Sequence, residues 1–328
     1  MIKVKIVNVE DAVGSRLCQD LTQIIPGEKK GPRFRKGHLV TKEDIPVLLS
    51  MGKVHLYVEE AQPGMLHEEE AARLLYALCA NDYLAPSEIK EGKIEAVAQK
   101  EGLLTVDRKR LFQVNRFGAM MIATKADFSR LHAGETAAGM RVIPLYIEEA
   151  QMTALTAAVG SQPPLLTLHP FTPKKVAIVT TGSEVFSGRI KDGFEPVLRQ
   201  KLADFPTEII FHKLVDDQKA AIVAAIKDAE AAGADIILCT GGMSVDADDL
   251  TPGAIKDAAA QLVSYGTPVL PGAMFALAYG KTGAAIMGLP GAVIFAPQTV
   301  FDLILPRIMA DITVTKEDIA ELGCGGLL

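Results

Sequence analysis

Three short loops rich in glycine and hydroxyl side chains carry the clearest chemical signal in the sequence. They are residues 180–184 (Thr-Thr-Gly-Ser-Glu), 240–244 (Thr-Gly-Gly-Met-Ser) and 288–291 (Gly-Leu-Pro-Gly), and each follows an apolar run. Glycine lets the backbone approach an anion closely, and free N–H groups with serine or threonine hydroxyls donate hydrogen bonds to phosphate oxygens. One such loop alone is typical of a structural turn, but three in one domain predict a phosphate-binding site.

Nine residues of these loops are expected to contact a ligand. Seven of them are glycines or carry a hydroxyl group, and the other two are Met243 and Pro290. The nine are Thr181, Gly182, Ser183, Gly241, Gly242, Met243, Ser244, Pro290 and Gly291.

Carboxylates stand beside the same loops. Glu184 ends the first loop, Asp216 and Asp217 follow another apolar run, and Asp249 comes shortly after the second loop. Carboxylates that converge on a phosphate would repel it unless Mg²⁺ bridges them, and Mg²⁺ commonly takes one or two carboxylates plus phosphate oxygens. The alternative is that Asp217, and one aspartate among residues 246–249, cap helices.

The elements that must position these loops alternate between two patterns. Short apolar runs, typical of buried strands, lie at 176–180, 208–215, 235–240 and 284–291. Helical patterns follow them, starting near Phe194, at the Asp217 cap, at the Thr251-Pro252 cap and at Pro297. This alternation predicts a three-layer α/β domain with a parallel sheet over residues 171–312, whose ligands bind outside the carboxyl ends of the strands.

Residues 1–170 predict a smaller domain of α+β or β-rich type. Thr41 and Asp44 approximate a capping box for a helix that stops at Gly52, and leucines around position 75 mark a second helix. Alternation over 94–106 and 111–114 predicts a hairpin around residues 100–102. The proline-rich stretch 150–174 is interpreted as a linker with an extended end, and 313–328 as a C-terminal tail.

Composition excludes several classes of protein. Residues 171–328 hold 19 acidic and 13 basic side chains and the whole chain has a net charge of −6, which argues against general nucleic-acid binding. The four cysteines lie far apart, which predicts reduced thiols, and Cys239 is expected in the core. Neither an apolar run of about 18 residues nor a signal peptide is apparent, so we expect a cytoplasmic protein.

The motif order of the second part resembles the molybdopterin-binding domain of the MoeA and gephyrin E-domain family. The matching motifs are Thr-Gly-Ser-Glu at 181–184, Ser187-Gly188-Arg189-Ile190-x-Asp192, Asp216-Asp217, Gly241-Gly242-Met243-Ser244-Val245 with Asp249, Pro271-Gly272 and Gly288-Leu289-Pro290-Gly291. The resemblance is strong over about 175–310. It extends weakly to 11–14 and 34–58, which are similar to segments of that family's N-terminal region.

The resemblance implies a role in molybdenum cofactor biosynthesis. Family members bind molybdopterin and ligate molybdate to its dithiolene, starting from the adenylylated form and using Mg²⁺. The family's functional acids fall by position on Glu184, Asp216 and Asp249, which would be catalytic, and Asp216 and Asp249 would hold the metal. It also implies a homodimer, with molybdopterin or adenylyl-molybdopterin and molybdate as ligands.

The sequence departs from that family in ways that bear on molybdate. Two lysines that flank the family's Pro-Gly are here Leu270 and Ala273, leaving Lys281 and Arg307 as the nearest cations in sequence. The family's Asn-Pro after Gly-Leu-Pro-Gly is Ala292-Val293. Its Asp-Gly-Tyr-Ala motif has no counterpart, and neither has its C-terminal β domain. Pterin binding tolerates these losses better than molybdate handling does.

Two rival functions therefore stay open beside molybdenum insertion. One is a non-catalytic carrier or chaperone that hands the cofactor to a recipient molybdenum enzyme, and the missing lysines favour it. The other is a nucleotide pyrophosphatase like the CinA proteins, although residues 181–184 fit their first loop less well. A basic stretch (Lys29, Lys30, Arg33, Arg35, Lys36 and His38) is typical of a solvated loop; the alternative is an anion-binding loop that reaches a partner's site.

Overall fold

The computed structural model describes residues 5–25, 29–58 and 64–328, with only the backbone described at Lys29. The chain forms two compact units, one of residues 1–100 and 104–168, the other of residues 101–103 and 169–328. Within the described residues, no helix is both long enough and apolar enough to cross a bilayer.

The described part of residues 5–170 combines short, mostly antiparallel strands with four α-helices and a 3-10 helix at Val9–Asp11, which confirms the α+β character predicted for this part. The strands are β1 (Lys5–Asn8), β2 (Leu21–Ile25), β3 (Lys29–Phe34), β4 (His55–Val58), β5 (Met65–His67), β6 (Leu84–Pro86), β7 (Ile94–Ala98), β8 (Gly102–Val106), β9 (Met120–Thr124), β10 (Arg130–Leu131), β11 (Thr136–Val142), β12 (Tyr146–Glu148) and β13 (Leu166–Pro170). The helices are α1 (Asp44–Ser50), α2 (Glu68–Cys79), α3 (Arg108–Arg116) and α4 (Glu149–Val159).

Two sequence interpretations of this part were wrong. The stretch 94–106 does not fold back on itself as a hairpin, because β7 pairs with β6 and β11, and residues 111–114 lie in α3. The alternating apolar residues of α3 were mistaken for a strand because four residues cannot separate the two periods. The linker predicted over 150–174 contains most of α4, whose Met152 and Leu155 are buried in the core of the first unit.

Residues 174–321 form the predicted α/β domain. Its strands are β14 (Lys174–Thr181), β15 (Thr207–Val215), β16 (Ile236–Thr240), β17 (Gln261–Tyr265), β18 (Ala276–Tyr279) and β19 (Ala285–Leu289). Its helices are α5 (Ser183–Phe186), α6 (Phe194–Leu202), α7 (Lys219–Ala231), α8 (Thr251–Ala258), α9 (Ala292–Phe295), α10 (Val300–Met309) and α11 (Lys316–Glu321), the last in the predicted tail.

The six strands of this domain form one sheet in the order β15-β14-β16-β19-β18-β17. The first four are parallel, as predicted, and β18 and β17 add an antiparallel edge. Residues 176–179 of β14 (Val-Ala-Ile-Val) and 236–239 of β16 (Ile-Ile-Leu-Cys) are continuous apolar runs, and both faces of these strands are buried. One face packs against α6, α9 and α10, the other against α7 and α8, so the helices cover the sheet on both sides.

Three helix starts differ from the sequence prediction. Asp217 does not cap α7, since Gln218 holds the cap position and the Asp217 carboxylate turns to another loop. Thr251 is the first residue of α8 rather than its cap. The helix predicted from Pro297 begins at Val300, where Thr299 and Asp302 form a capping box.

Candidate functional site

Four parallel strands end side by side and deliver the predicted loops to one edge of the sheet. Thr180 of β14 lies opposite Thr240 of β16, and Thr240 lies opposite Leu289 of β19. Thr181 pairs in the same way with Val215, the last residue of β15. The loops that follow these residues therefore start level with one another, as expected at the carboxyl edge of an open α/β sheet.

The loops border a cleft of about 950 Å³ and a second cavity of about 450 Å³. Predicted residues that line the larger cleft are Thr181, Gly182, Ser183, Glu184, Asp216, Gly241, Gly242 and Asp249. Met243, Ser244, Pro290 and Gly291 line the smaller cavity, which shares Gly241, Gly242, Asp249 and Phe194 with the larger one. All twelve candidate residues are thus brought to this edge, although their roles stay predictions.

The two glycines after β16 are required by close backbone approach. A β-carbon on Gly241, whose φ is +85°, would lie 2.2 Å from the carbonyl oxygen of Thr181. At Gly242, with φ of +54°, a β-carbon would lie 2.9 Å from the Thr251 hydroxyl oxygen. That hydroxyl and the Thr181 hydroxyl are hydrogen-bonded at 3.1 Å. Only glycine therefore lets the second loop lie against the first.

The aspartate pair after β15 organises the first loop. The Asp217 carboxylate accepts a hydrogen bond of 2.7 Å from the backbone N–H of Ser183, which fixes the start of α5. Asp216 accepts one from the backbone N–H of Asp217, at 3.0 Å, and one from the side-chain amide of Gln218, at 3.4 Å. Asp217 is therefore a loop-positioning residue, a role that the sequence reading of it as a helix cap missed.

Three other acids of the cleft have no protein partner for their carboxylates within the described hydrogen bonds and ion pairs. Glu184 and Asp248 are exposed and Asp249 is half-buried beside Gly242, and all three line the larger cleft. The predicted metal ligands Asp216 and Asp249 line it too. In the part of the chain that the structure describes, however, the set of metal-ligating groups that lie within 4.8 Å of one another is Asp192, Glu195 and His212.

The side chains of Asp192, Glu195 and His212 already have partners within the protein. Asp192 accepts hydrogen bonds from the Thr180 hydroxyl at 2.8 Å and from the backbone N–H of Phe194 at the start of α6, also at 2.8 Å. His212 lies 3.6 Å from the Asp192 carboxylate and 3.7 Å from that of Glu195. Asp192 therefore ties β14 to α6 at the cleft wall. The sequence signal for this tie is an aspartate two residues before an amphipathic helix.

Positive charge at the cleft comes from a residue that sequence reasoning did not single out. Among the described residues that line the larger cleft, Lys191 is the only lysine or arginine, against six aspartates and glutamates. Lys281 lies in the turn between β18 and β19, at the opposite end of the sheet. Arg307 is buried in α10, 3.8 Å from Asp318. The two cations nearest in sequence to the Pro-Gly are thus the wrong candidates, because neither lies at the carboxyl edge.

Met243 lines the smaller cavity, and its side chain packs into the core. Its side chain is buried and lies where a β-carbon on Gly288 would be, 2.6 Å from that position, so it packs beneath β19. The Tyr265 hydroxyl donates to the carbonyl oxygens of Met243 and Ser244, each at 3.2 Å. Burial, and then the negative charge of Asp249, raise the pKa of Tyr265, so it stays a donor.

Cys239 lies in the core, as expected. It is fully buried within β16, and burial raises the pKa of its thiol to about 12. A thiol with this pKa is neutral near pH 7, in keeping with a residue that packs in the core.

The basic stretch of the first unit is partly paired rather than solvated throughout. The Lys36 ammonium lies 3.0 Å from Nδ1 of His67 and 3.4 Å from the Glu69 carboxylate. His38 contacts the Asp44 carboxylate at 2.7 Å. The side chain of Lys29 lies outside the described residues, and delivery of this stretch to a partner's site stays a prediction.

Comparisons with known proteins find matches to parts of the chain. Residues 177–310 match the family model of a probable molybdopterin binding domain, and residues 6–60 match that of a domain of unknown function. A CinA-like protein of Mycobacterium sp. (strain MCS) is 35% identical over 77 residues, which are 24% of this chain and 18% of that protein. The chain thus spans about a fifth of the length of that curated relative.

Solved structures with similar chains include two from molybdenum cofactor biosynthesis. The molybdopterin biosynthesis enzyme MoaB from Thermus thermophilus is 24% identical, covers 41% of this chain and 91% of its own, and has a TM-score of 0.36. A molybdenum cofactor biosynthesis protein from Pyrococcus furiosus is 15% identical over 96% of this chain and 66% of its own, with a TM-score of 0.28. The family model and the curated relatives together support a molybdopterin-related or CinA-like role.

Proposed function

We propose that the larger cleft binds molybdopterin and that the protein acts in molybdenum cofactor biosynthesis. The observation that carries this proposal is the meeting of the loops after β14 and β16 at this cleft, with the loop after β19 lining the adjoining smaller cavity, within the segment that matches a probable molybdopterin binding domain. A volume of about 950 Å³ lies in the usual range for small-ligand sites, roughly 300–1,000 Å³. The loops offer backbone N–H groups and the exposed hydroxyl of Ser183 to a phosphate.

Magnesium would serve to join such a ligand to the acidic wall. The carboxylates of Asp216 and Asp249 are the hard oxygen donors that Mg²⁺ prefers, and they line the same cleft. Without a cation, a phosphate beside six aspartates and glutamates would be strongly disfavoured. When bound, Mg²⁺ would neutralise phosphate or molybdate oxygens, with Glu184 as a further acid at the cleft.

Molybdenum insertion is the most demanding form of this function. Molybdate is a dianion, and holding it beside a dithiolene and a phosphate calls for compensating positive charge. Lys191 supplies one such charge, whereas the positions beside the Pro-Gly hold Leu270 and Ala273. We therefore propose tight pterin binding with weak molybdate affinity. A molybdenumtransferase acting at high molybdate and a non-catalytic carrier for a recipient enzyme are both compatible with it.

A second candidate function is nucleotide pyrophosphate hydrolysis of the CinA-like kind. The observation in its favour is the 35% identity to a CinA-like protein over 77 residues. The acidic cleft also suits it, because a metal held by carboxylates stabilises the charge that develops on transferring phosphoryl groups.

One binding experiment separates the two candidates. Calorimetry of the full-length protein with molybdopterin and with ADP-ribose, each with and without Mg²⁺, should show magnesium-dependent binding of molybdopterin. Oxidation of protein purified from a molybdopterin-producing strain should also release a fluorescent pterin. Hydrolysis of ADP-ribose with no pterin binding would overturn the leading proposal and establish the second. Complementation of a strain without molybdenumtransferase, at ordinary and raised molybdate, then distinguishes insertion from carriage.

A further inference from the structure

One wall of the larger cleft is apolar although it faces water. Phe295 lines the cleft with 86% of its surface exposed, and Ile190 lines it with 56% exposed. Ile294 lines the same wall and is half-buried. The loops around Ser183 and Gly241, which line the same cleft, are polar. The cleft therefore has both a hydrogen-bonding side and a hydrophobic side.

The position of Phe295 is fixed by the short helix α9, in which it is the last residue. Val293 of that helix is fully buried in the core, and the Ile294 side chain packs 3.7 Å from where a β-carbon on Gly193 would be. The backbone N–H groups of Val293 and Ile294 donate to the carbonyls of Pro290 and Gly291, each at 3.1 Å. Because α9 holds Phe295 in place with its ring exposed to water, covering the ring with a flat apolar surface would lower the free energy of the complex.

We propose that the ring of Phe295 is a stacking platform for the planar heterocycle of the ligand, and that it makes the site selective for ring-bearing phosphates. This inference rests on the proposed function, in that a phosphorylated ligand must occupy the cleft. The loops and Lys191 bind the phosphate end, which places the other end of the ligand against the apolar wall. Stacking requires a flat aromatic face on the ligand and does not depend on its hydrogen-bonding groups. The platform therefore accepts a pterin or an adenine alike.

The chain offers a direct optical test because it contains no tryptophan. In Phe295→Trp the new indole is the sole tryptophan fluorophore, and a ring stacked on it should quench its emission. The probes are molybdopterin, ADP-ribose and ribose 5-phosphate, the last of which has no aromatic ring. Phe295→Ala, Phe295→Tyr and wild type are compared by calorimetry. Phe112→Ala is the matched control, because Phe112 is an exposed phenylalanine of the first unit.

We expect Phe295→Ala to raise the dissociation constant of the ring-bearing ligand at least about tenfold, since losing an aromatic stacking partner typically weakens binding by about 5- to 150-fold. Phe295→Tyr and Phe112→Ala should bind like wild type, ribose 5-phosphate should be insensitive to all variants, and melting temperatures should agree. Quenching in Phe295→Trp should saturate with the ring-bearing ligand only.

The outcomes separate this inference from the proposed function. Molybdopterin binding that is unchanged in Phe295→Ala, without quenching in Phe295→Trp, overturns the platform and leaves the function standing. Quenching and tenfold weakening with ADP-ribose, but no binding of molybdopterin to wild type, overturn the function and support the platform. If neither ring-bearing ligand binds wild type, both are wrong.

Discussion

The two ends of the sheet in the second unit carry similar charged residues but use them differently. At the amino end, around a cavity of about 340 Å³, the charges pair with one another or with the backbone. Lys174 pairs with Asp311, Glu230 accepts hydrogen bonds from the backbone and hydroxyl of Thr282 at 2.8 and 2.9 Å, and Asp235 accepts one from the backbone of Lys175 at 2.8 Å. These charges stabilise turns and strand starts.

At the carboxyl end the carboxylates of Glu184, Asp248 and Asp249 have no protein partner within the described bonds, and Lys191 is the one base that lines the described cleft. Polar groups that already have partners stabilise a fold, whereas unpaired ones at a concave surface remain free for a ligand. Unpaired carboxylates at a concave surface therefore distinguish the carboxyl end of the sheet from the amino end, although Asp192, Asp216 and Asp217 of the carboxyl end are themselves hydrogen-bonded within the protein.

Among the substitutions considered, Gly241→Ala is expected to have the largest effect on stability and ligand binding. Gly241→Ala places a β-carbon against the Thr181 carbonyl oxygen at a residue with φ of +85°, so we expect a loss of at least about 2 kcal/mol in the free energy of unfolding and loss of ligand binding. Gly283→Ala at the amino end is the control, because φ there is +90° and no atom lies within 4 Å of the added carbon. It should cost only about 1 kcal/mol in urea unfolding. Equal costs for the two variants would contradict the close approach of the loops.

Lys191→Ala tests the charge balance of the carboxyl end. We expect the dissociation constant of molybdopterin to rise about tenfold or more, since a hydrogen bond to a charged group contributes about 1.5–3 kcal/mol. Melting temperature should change little because Lys191 is exposed. Lys281→Ala, at the amino end, should leave the affinity unchanged. Calorimetry of both variants in low salt measures the difference, and a larger effect from Lys281 would reverse the assignment of the two ends.

Asp249→Asn should weaken ligand binding but not stability, whereas Asp235→Ala should lower stability but not ligand binding. The carboxylate of Asp249 has no protein partner within the described bonds, so its neutralisation should weaken magnesium-dependent ligand binding and leave the unfolding free energy within about 0.5 kcal/mol. Asp235 accepts a hydrogen bond from the backbone of Lys175, so its removal should cost about 0.5–1.5 kcal/mol of stability without affecting the ligand. Should Asp249→Asn melt far lower with unchanged metal dependence, Asp249 is a structural residue.

The sequence predicted the carboxyl edge well because its signals are local. Glycines after apolar runs identify strand ends, and strand ends of a parallel sheet share one edge, so Thr181, Gly241 and Pro290 could be assigned to one edge of the sheet. The parallel strands themselves were predictable from continuous apolar runs such as residues 176–179 of β14.

What the sequence could not supply is side-chain direction and pairing across the fold. Asp217 bonds to a loop 34 positions earlier instead of capping the helix beside it, and Lys191, ten positions beyond Thr181, reaches the cleft only through the course of the following loop. In the first part, the short run 111–114 carries too few residues to separate helical from strand periodicity, and only its packing in α3 decides.

The smallest effect on stability is expected from Asp311→Asn at the amino end of the sheet, where Asp311 pairs with Lys174. Although partial burial alone would raise the pKa of Asp311, hydrogen bonds from Lys174 and Thr172 lower it below the ordinary value of 3.8. A lowered folded-state pKa stabilises the fold above the unfolded-state value, and the contribution is lost as the pH falls through the folded-state value. Asp311→Asn keeps a side chain that tolerates the φ of +56° at this position, so it removes charge without adding strain. Because Asp311 is more than half exposed, we expect a loss of only about 0.5 kcal/mol at pH 7, seen in urea unfolding, that shrinks toward zero as the pH falls through the folded-state pKa. A loss that stays constant as the pH falls would show that Asp311 acts through backbone geometry rather than through its charge.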